Sequence, residues 1–181
     1  PVHHPHPRHG SRFCMACGEL TVSAPRDGHR ECPACGFEHR LHPRPCAAAL
    51  PVREGRFLLV RRDIEPRRGF WQVPGGFMEL GESPAQAAAR ELREEALVES
   101  GELRLLGVYT PVVNNLVVIA FEAEALNEGA AGHETQEVRW FRPDETPWDT
   151  LSFSSSEFAI RDWLRRMGLP APGGIMTTWG G

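Results

Sequence analysis

The sequence predicts an α/β layered sandwich built on a mixed sheet, preceded by a small cysteine-rich module. Three observations carry this. Strand-like and helical stretches interleave in irregular order after residue 44, the pattern of a layered α/β domain. The stretch "GGFMELGESPAQAAARELREEALV", residues 75–98, joins a Gly-rich loop to a helix crowded with carboxylates. Four of the five cysteines form two tight pairs before residue 36.

The chain has 181 residues, enough for one domain of ordinary size with a small appendage. An apolar content of 41% suits a globular core. No apolar run approaches the roughly 20 residues that span a bilayer, so no membrane association is expected. The opening "PVHHPHPRHG" is polar and unlike a secretory signal, and residues 1–11 read as a disordered leader of a cytoplasmic protein. A net charge of −4 argues against nonspecific nucleic-acid binding. All 20 basic residues are Arg, which suits bidentate phosphate contacts, but a chain without Lys reads as compositional bias rather than function.

A composition break at "PRPC", residues 43–46, separates the cysteine pairs from the rest of the chain. Cys14 and Cys17, then Cys32 and Cys35 after 14 intervening residues, each close a CxxCG knuckle with Gly18 or Gly36. In a chain without a secretory signal, that spacing reads as a zinc ribbon over residues 12–43, the glycines letting backbone amides turn toward thiolates. His29, His39 and His42 are alternative ligands, but four thiolates already fill a tetrahedral site. Cys46 reads as a buried core thiol. Zinc ribbons often bind nucleic acid. Here residues 1–45 hold six Arg against four acids, with no aromatic series for base stacking, so a structural or dimerising ribbon is expected instead.

The second domain is assigned to residues 44–168, with a tail at 169–181. "CAAALPV" and "GRFLLVRR" read as strands joined by the turn residues Glu54 and Gly55. "GFWQVPGG" reads as loop with a short extended piece. Ser83 and Pro84 start a helix, with Gln86 completing a capping box, and the helix runs from 84 to at least 96. Ala85, Ala88, Ala89, Leu92 and Ala96 make its narrow apolar face. "ELRLLGVYT", "NLVVIAFEAEAL" and "EVRWF" read as further strands. Ser154 begins a second helix with Glu157 as its box partner, and Phe158, Ala159, Trp163, Leu164 and Met167 fall on one face.

On the first helix Glu91 and Glu95 lie one turn apart on one face, with Glu94 beside them and Arg90 one turn before Glu94. Taken alone this is the pattern of a solvated acidic face. The preceding Gly75–Gly76 changes the balance, because glycine lets backbone carbonyls approach a metal closely. Hard oxygen ligands on a rigid element suit Mg²⁺ (or Mn²⁺), which recruits substrate phosphates.

Gly76, five residues, Glu82, seven residues, then Arg90-Glu91-Leu92-Arg93-Glu94-Glu95 resembles the Nudix box. The resemblance covers roughly residues 12–168. It implies a Nudix α/β/α sandwich and Mg²⁺-dependent hydrolysis of a nucleoside diphosphate linked to another group. It makes Glu91, Glu94 and Glu95 metal ligands with a carbonyl of Gly75 or Gly76, and has Arg90 and Glu82 brace the loop. Where the family usually has Gly, this chain has Leu97. Gly101 is the next residue able to end the helix in a left-handed cap, so a helix one turn longer is expected. The catalytic base is Glu94, or else Glu134 or Glu137 in "GHETQEVRWF". Arg61, Arg62, Arg67 and Arg68 are candidate phosphate contacts or else solvated charges, Trp71 and Phe70 either stack on a base or pack under the loop, and Asn114 and Asn115 contact substrate or make a turn.

The resemblance extends to two groups of ribbon-bearing Nudix enzymes. NADH pyrophosphatases carry a further motif, SQPWPFPxS, where this chain reads "GVYTPVVNNLVVIAFEAEAL". Enzymes resembling plant FAD and ADP-ribose pyrophosphatases share a late segment similar to "PWDTLSFSSSEFAIRDWL". ADP-ribose or FAD is therefore the expected substrate, NADH the alternative, and a homodimer is allowed. The rival of another class is a noncatalytic nucleotide-sensing or nucleic-acid-binding Nudix protein, against which the intact glutamates argue.

Overall fold

A computed structural model describes residues 13–20, 29–40, 42–111 and 115–171. The chain divides at Pro43 and Arg44 into two compact units. The expected leader at 1–11, Asn114 and most of the tail lie outside the described residues.

In the first unit two knuckles repeat one backbone design. The amides of Gly18 and Gly36 donate to the carbonyls of Cys14 and Cys32, each at 2.9 Å, and the amides of Cys14 and Cys32 donate to Glu19 and Phe37. Gly18 and Gly36 take φ of 77° and 73°, where a side chain is costly. Strands β1 (His29–Glu31) and β2 (Glu38–Arg40) pair antiparallel around the second knuckle.

The second unit begins with β3 (Arg44–Arg53) and β4 (Arg56–Arg62). Glu54 and Gly55 join them with φ of 51° and 73°, two left-handed residues whose twist matches a hairpin. The two strands pair only at Val52–Phe57 and Arg53–Arg56. Beyond that they part. Strand β4 turns to β9 (Thr135–Phe141) and, briefly, to β5 (Trp71–Gln72). Strand β3 runs parallel to β8 (Leu116–Ala125) and antiparallel to β6 (Gly75–Phe77), and β8 pairs with the edge strand β7 (Ser100–Tyr109). The sheet is therefore mixed and splayed, and residues 71–77 cross the opening from β4 to β3. The Ala49 amide holds the crossing by donating to Pro74 at 2.9 Å.

Helix α1 (Pro84–Ala96) covers one face. Its Ala87, Ala88, Leu92 and Ala96 pack on Ala47, Ala49, Leu58, Val60 and Phe121. Small residues on both sides permit close approach. Helix α2 (Ser154–Arg166) covers the other face, setting Ala159, Ile160, Trp163 and Leu164 against Leu50, Phe57, Leu59 and Phe141. The alternation of β3 and β4 between these two clusters is the period-2 signature of a sheet buried on both faces.

At the helix termini the structure both keeps and departs from the sequence pattern. The capping box at Ser83 and Gln86 is present in both directions. The longer helix expected in place of the missing glycine does not form: α1 stops at Ala96, and Leu97 itself takes the left-handed conformation, φ 50°, donating its amide to Arg93. Distant groups make this stop tenable. The amides of Ala130, Gly132 and His133 donate to the carbonyls of Ala96, Glu95 and Glu94 at 2.8–3.0 Å, and the Asn127 side chain donates to the Leu97 carbonyl at 2.9 Å. Helix α2 also departs from expectation. Ser154 is its first helical residue, the cap position belongs to Phe153, and no side-chain cap forms. Glu157 instead pairs with Arg161 at 2.7 Å, and Met167 stands exposed.

Candidate active site

Where residues 71–77 cross the splayed sheet, they lie against the carboxylate face of α1. The Gly75 amide donates to Glu95 Oε2 at 3.0 Å. Gly76 lies so close to Glu91 that a Cβ there would meet its carboxylate atoms at 2.6–2.8 Å, while a Cβ at Gly75 would strike Ala47 and Ala48 at 2.6 Å. A side chain at Gly75 would run into the strand backbone, whereas one at Gly76 would displace the Glu91 carboxylate from its place in the site.

Arg90 ties the cluster together. Its guanidinium donates to both oxygens of Glu82 at 3.1 and 2.9 Å, to Glu91 at 2.8 Å, to Glu94 at 3.1 Å and to the Phe77 carbonyl at 3.0 Å. The Arg90 bonds, helped by the Glu79 amide, hold Glu82 below its ordinary pKa. The expected brace between loop and helix therefore has a definite form: one arginine joins the loop carboxylate, the loop backbone and two helix carboxylates.

Glu95 is half-buried and carries the largest carboxylate shift of the site. Burial pushes its pKa up to about 7, against the Gly75 amide, and the charge of Glu91 adds to the rise. Glu91 is likewise raised by burial, opposed by Arg90. In both, burial disfavours the charged form, a cost that a nearby cation would offset. Glu94 is exposed. The glycine-lined space at Glu91, the burial cost of Glu91 and Glu95 and the all-oxygen donor set fit a hard divalent cation.

Behind Glu95 lies a chain of hydrogen bonds that the sequence pattern does not announce. Gln72 Nε2 reaches the two Glu95 oxygens at 3.3 and 3.5 Å. Gln72 Oε1 accepts from Arg62 Nη1 at 2.6 Å, and Arg62 Nε donates to the Pro66 carbonyl at 2.8 Å. Arg62 is buried and its guanidinium lies over Phe153. The same crossing segment is held from α2 and from the loop that precedes it. Ser156 Oγ accepts the Val73 amide at 3.1 Å, and Ser152 donates through both its amide and hydroxyl to the Trp71 carbonyl. A lone Gln in the apolar run "FWQV" was the available signal for Gln72. Nothing local marks the serines.

The other candidate residues surround this core of the site. Arg61 is exposed, donates to the Gly69 carbonyl and pairs with Glu137 at 3.7 Å. The Trp71 ring meets Phe141 edge-on at 5.1 Å as part of the core fringe. Arg68 pairs with Asp63, and Arg67 lies over Phe70. Glu134 has φ 59°, its carbonyl accepts the Asp63 amide, and its charge acts on Arg62.

In the first unit the Sγ atoms of Cys14, Cys17, Cys32 and Cys35 all lie within 4.8 Å of one another. The Cys14–Cys35 and Cys17–Cys32 separations are both 3.7 Å, close to the edge of a tetrahedron with Zn–S bonds of about 2.3 Å. Against the cost of burial, the amides of Cys17 and Ala16 lower Cys14 to about 6. Cys35, although it accepts the Phe37 amide, is pushed up to about 12 by the sulfurs around it and by burial. Four thiolates at this spacing fit a soft divalent cation.

Known proteins resemble the chain along the same lines. A family model described as "NUDIX domain" matches residues 42–163. An ADP-ribose pyrophosphatase of Methanocaldococcus jannaschii is 29% identical over 130 residues, 69% of this chain and 75% of that protein. A NAD-capped RNA hydrolase NudC of Pseudomonas syringae pv. syringae is 32% identical over 171 residues, covering 89% of this chain but only 59% of its own length. Among solved structures, a NUDIX hydrolase from Nitrosomonas europaea superposes with a TM-score of 0.78 at 34% identity, covering 89% of this chain and 96% of that one. The NUDIX domain of Shewanella oneidensis NrtR, complexed with ADP ribose, shares the fold with a TM-score of 0.61 at 20% identity, covering 70% of this chain and 90% of that one.

Proposed function

We propose that this chain, which belongs to the NUDIX domain family, hydrolyses the pyrophosphate bond of a nucleoside diphosphate joined to a second group, with ADP-ribose or FAD as substrate. The observation that carries this is the meeting of Gly75 and Gly76 with Glu91 and Glu95, bracketed by Arg90. Such a site attracts a cation and, through it, a phosphate chain that so much negative charge would otherwise repel.

In this reading Glu91, Glu94 and Glu95, with a Gly75 or Gly76 carbonyl, hold Mg²⁺ or Mn²⁺, which supplies Lewis-acid stabilisation of charge on the phosphates. The protein's own groups do the positioning. The Gly75 amide holds the Glu95 carboxylate, and Arg90 holds Glu91 and Glu94. Glu94 is exposed and bound through one oxygen by Arg90, so we assign it to take the proton of the attacking water, with Glu134 and Glu137 as the loop alternatives. Arg61, exposed and tied to the Gly69 carbonyl and to Glu137, is the arginine we assign to a phosphate, whereas Arg62 and Trp71 support the crossing segment from below. The four cysteines hold one structural zinc.

The name of the Methanocaldococcus jannaschii relative supports ADP-ribose. The NudC relative supports a second reading, a nicotinamide dinucleotide substrate, because its similarity spans 89% of this chain. Against it, residues 107–126 lack the SQPWPFPxS motif. The deciding measurement is kcat/KM for ADP-ribose, FAD and NADH at one Mg²⁺ concentration. We expect ADP-ribose or FAD to lead, giving AMP with ribose 5-phosphate or FMN. A tenfold lead for NADH, about 1.4 kcal/mol in transition-state binding, overturns the substrate assignment, and no turnover of any of the three overturns the pyrophosphatase reading itself.

A further inference from the structure

Gln72 is the one buried polar side chain of the crossing segment, and the Mg²⁺-dependent mechanism leaves it without a task. An amide can present either its oxygen or its nitrogen. An oxygen turned toward Glu95 would repel the carboxylate, and a nitrogen donates to it. What decides the orientation is on the other side. Arg62 has only donors, so the Gln72 atom facing it at 2.6 Å must be the oxygen, and the nitrogen is then left facing Glu95 at 3.3 and 3.5 Å. Arg62 is in turn fixed by the Pro66 carbonyl and by Phe153 beneath its guanidinium plane. The chain of contacts runs Pro66, Arg62, Gln72, Glu95.

We propose that Gln72 is a positioning residue for Glu95, and that Arg62 acts on the active site by locking the Gln72 amide in its donor orientation. The proposal rests on the reading of Glu95 as a metal ligand. With the Gly75 amide on Oε2, a donor at Gln72 restricts the carboxylate to one rotation, as outer-sphere hydrogen bonds do for metal-binding side chains. Without the lock the amide is held in its donor orientation from the Glu95 side alone, by contacts of 3.3 and 3.5 Å, so loss of Arg62 weakens the same contact that loss of Gln72 removes.

The test uses Gln72→Met, which keeps the volume and removes the amide, with Arg62→Met, the double variant and Glu95→Gln as the reference. Two quantities are read: Mn²⁺ binding in the absence of nucleotide, from the electron paramagnetic resonance of the free ion, and kcat and KM for ADP-ribose separately. For Gln72→Met we expect Mn²⁺ binding about tenfold weaker and kcat about 10–100-fold lower, with KM changed by no more than about twofold. The double variant should be no worse than Gln72→Met by more than about twofold, because Arg62 works through Gln72. Unchanged Mn²⁺ binding and kcat in Gln72→Met overturn the proposal, and losses that multiply in the double variant overturn the lock. If Arg62→Met does not fold, Arg62→Gln replaces it in the single and double variants and is read by the same two criteria. Normal activity in Glu95→Gln would instead sink the ligand reading beneath it, so the two failures are distinct.

Discussion

Glu95 is a carboxylate kept half-buried beside another carboxylate, and the protein tolerates this at a cost in stability. Its folded pKa of about 7 lies above the ordinary 4.5, so between those values the folded state holds more protons than the unfolded state. Stability from this group is therefore full below about pH 4.5 and lost as pH rises through about 7; Glu91 contributes in the same direction. With chelator present, the midpoint of thermal unfolding should fall between about pH 5 and pH 8. Glu95→Gln should flatten that fall and be more stable than the parent at about pH 8, by on the order of 2 kcal/mol. The same variant should lose turnover by orders of magnitude with its circular dichroism intact. Near-normal turnover would remove Glu95 from the ligand set.

At the scale of elements, α1 is regular at its start and improvised at its end. Leu97 holds a left-handed conformation that a glycine takes without penalty, and its side chain is 47% exposed, so little packing depends on it. Leu97→Gly should stabilise the protein by about 0.5–1 kcal/mol in denaturant titration; destabilisation would show that the leucine side chain matters more than its backbone. The crossing segment depends on α2 in a comparable way. Ser156→Ala strips the acceptor from the Val73 amide, a buried donor, and should cost about 1–3 kcal/mol. Because Val73 follows Gln72 and precedes the glycines, kcat should fall several-fold as well. An unaltered kcat would mean that the segment is held without α2.

For the whole molecule, the two units make separate claims. The cysteine unit should bring one zinc per chain through purification without chelator, measured by elemental analysis. Less than about half an equivalent would count against a closed four-thiolate site. On the proposed reading the NUDIX unit requires a divalent cation for turnover, so removal of Mg²⁺ should abolish hydrolysis and its return restore it. Among the described residues no helix is long and apolar enough to cross a membrane.

Much of this molecule is written in short-range pattern. The Ser83–Gln86 capping box, the Glu54–Gly55 turn, the two CxxCG knuckles and the spacing that puts Glu91 and Glu95 on one face are local relations of a few residues, and each could be read from the chain because backbone sterics and helical period act over that distance. The family's residues lie in one run of the chain, Gly76 to Glu95, for the same reason. What local pattern does not contain is the set of partners brought from far away. The end of α1 is closed by amides from 130–133, the crossing segment is tied by Ser152 and Ser156, and Glu95 meets Gln72 only because β3 and β4 part and let residues 71–77 pass between them. A backbone donor or acceptor is indifferent to which residue satisfies it, and a side-chain pair such as Gln72 and Glu95 shows only one member in any local run, so the packed sheet and its two helices decided these contacts.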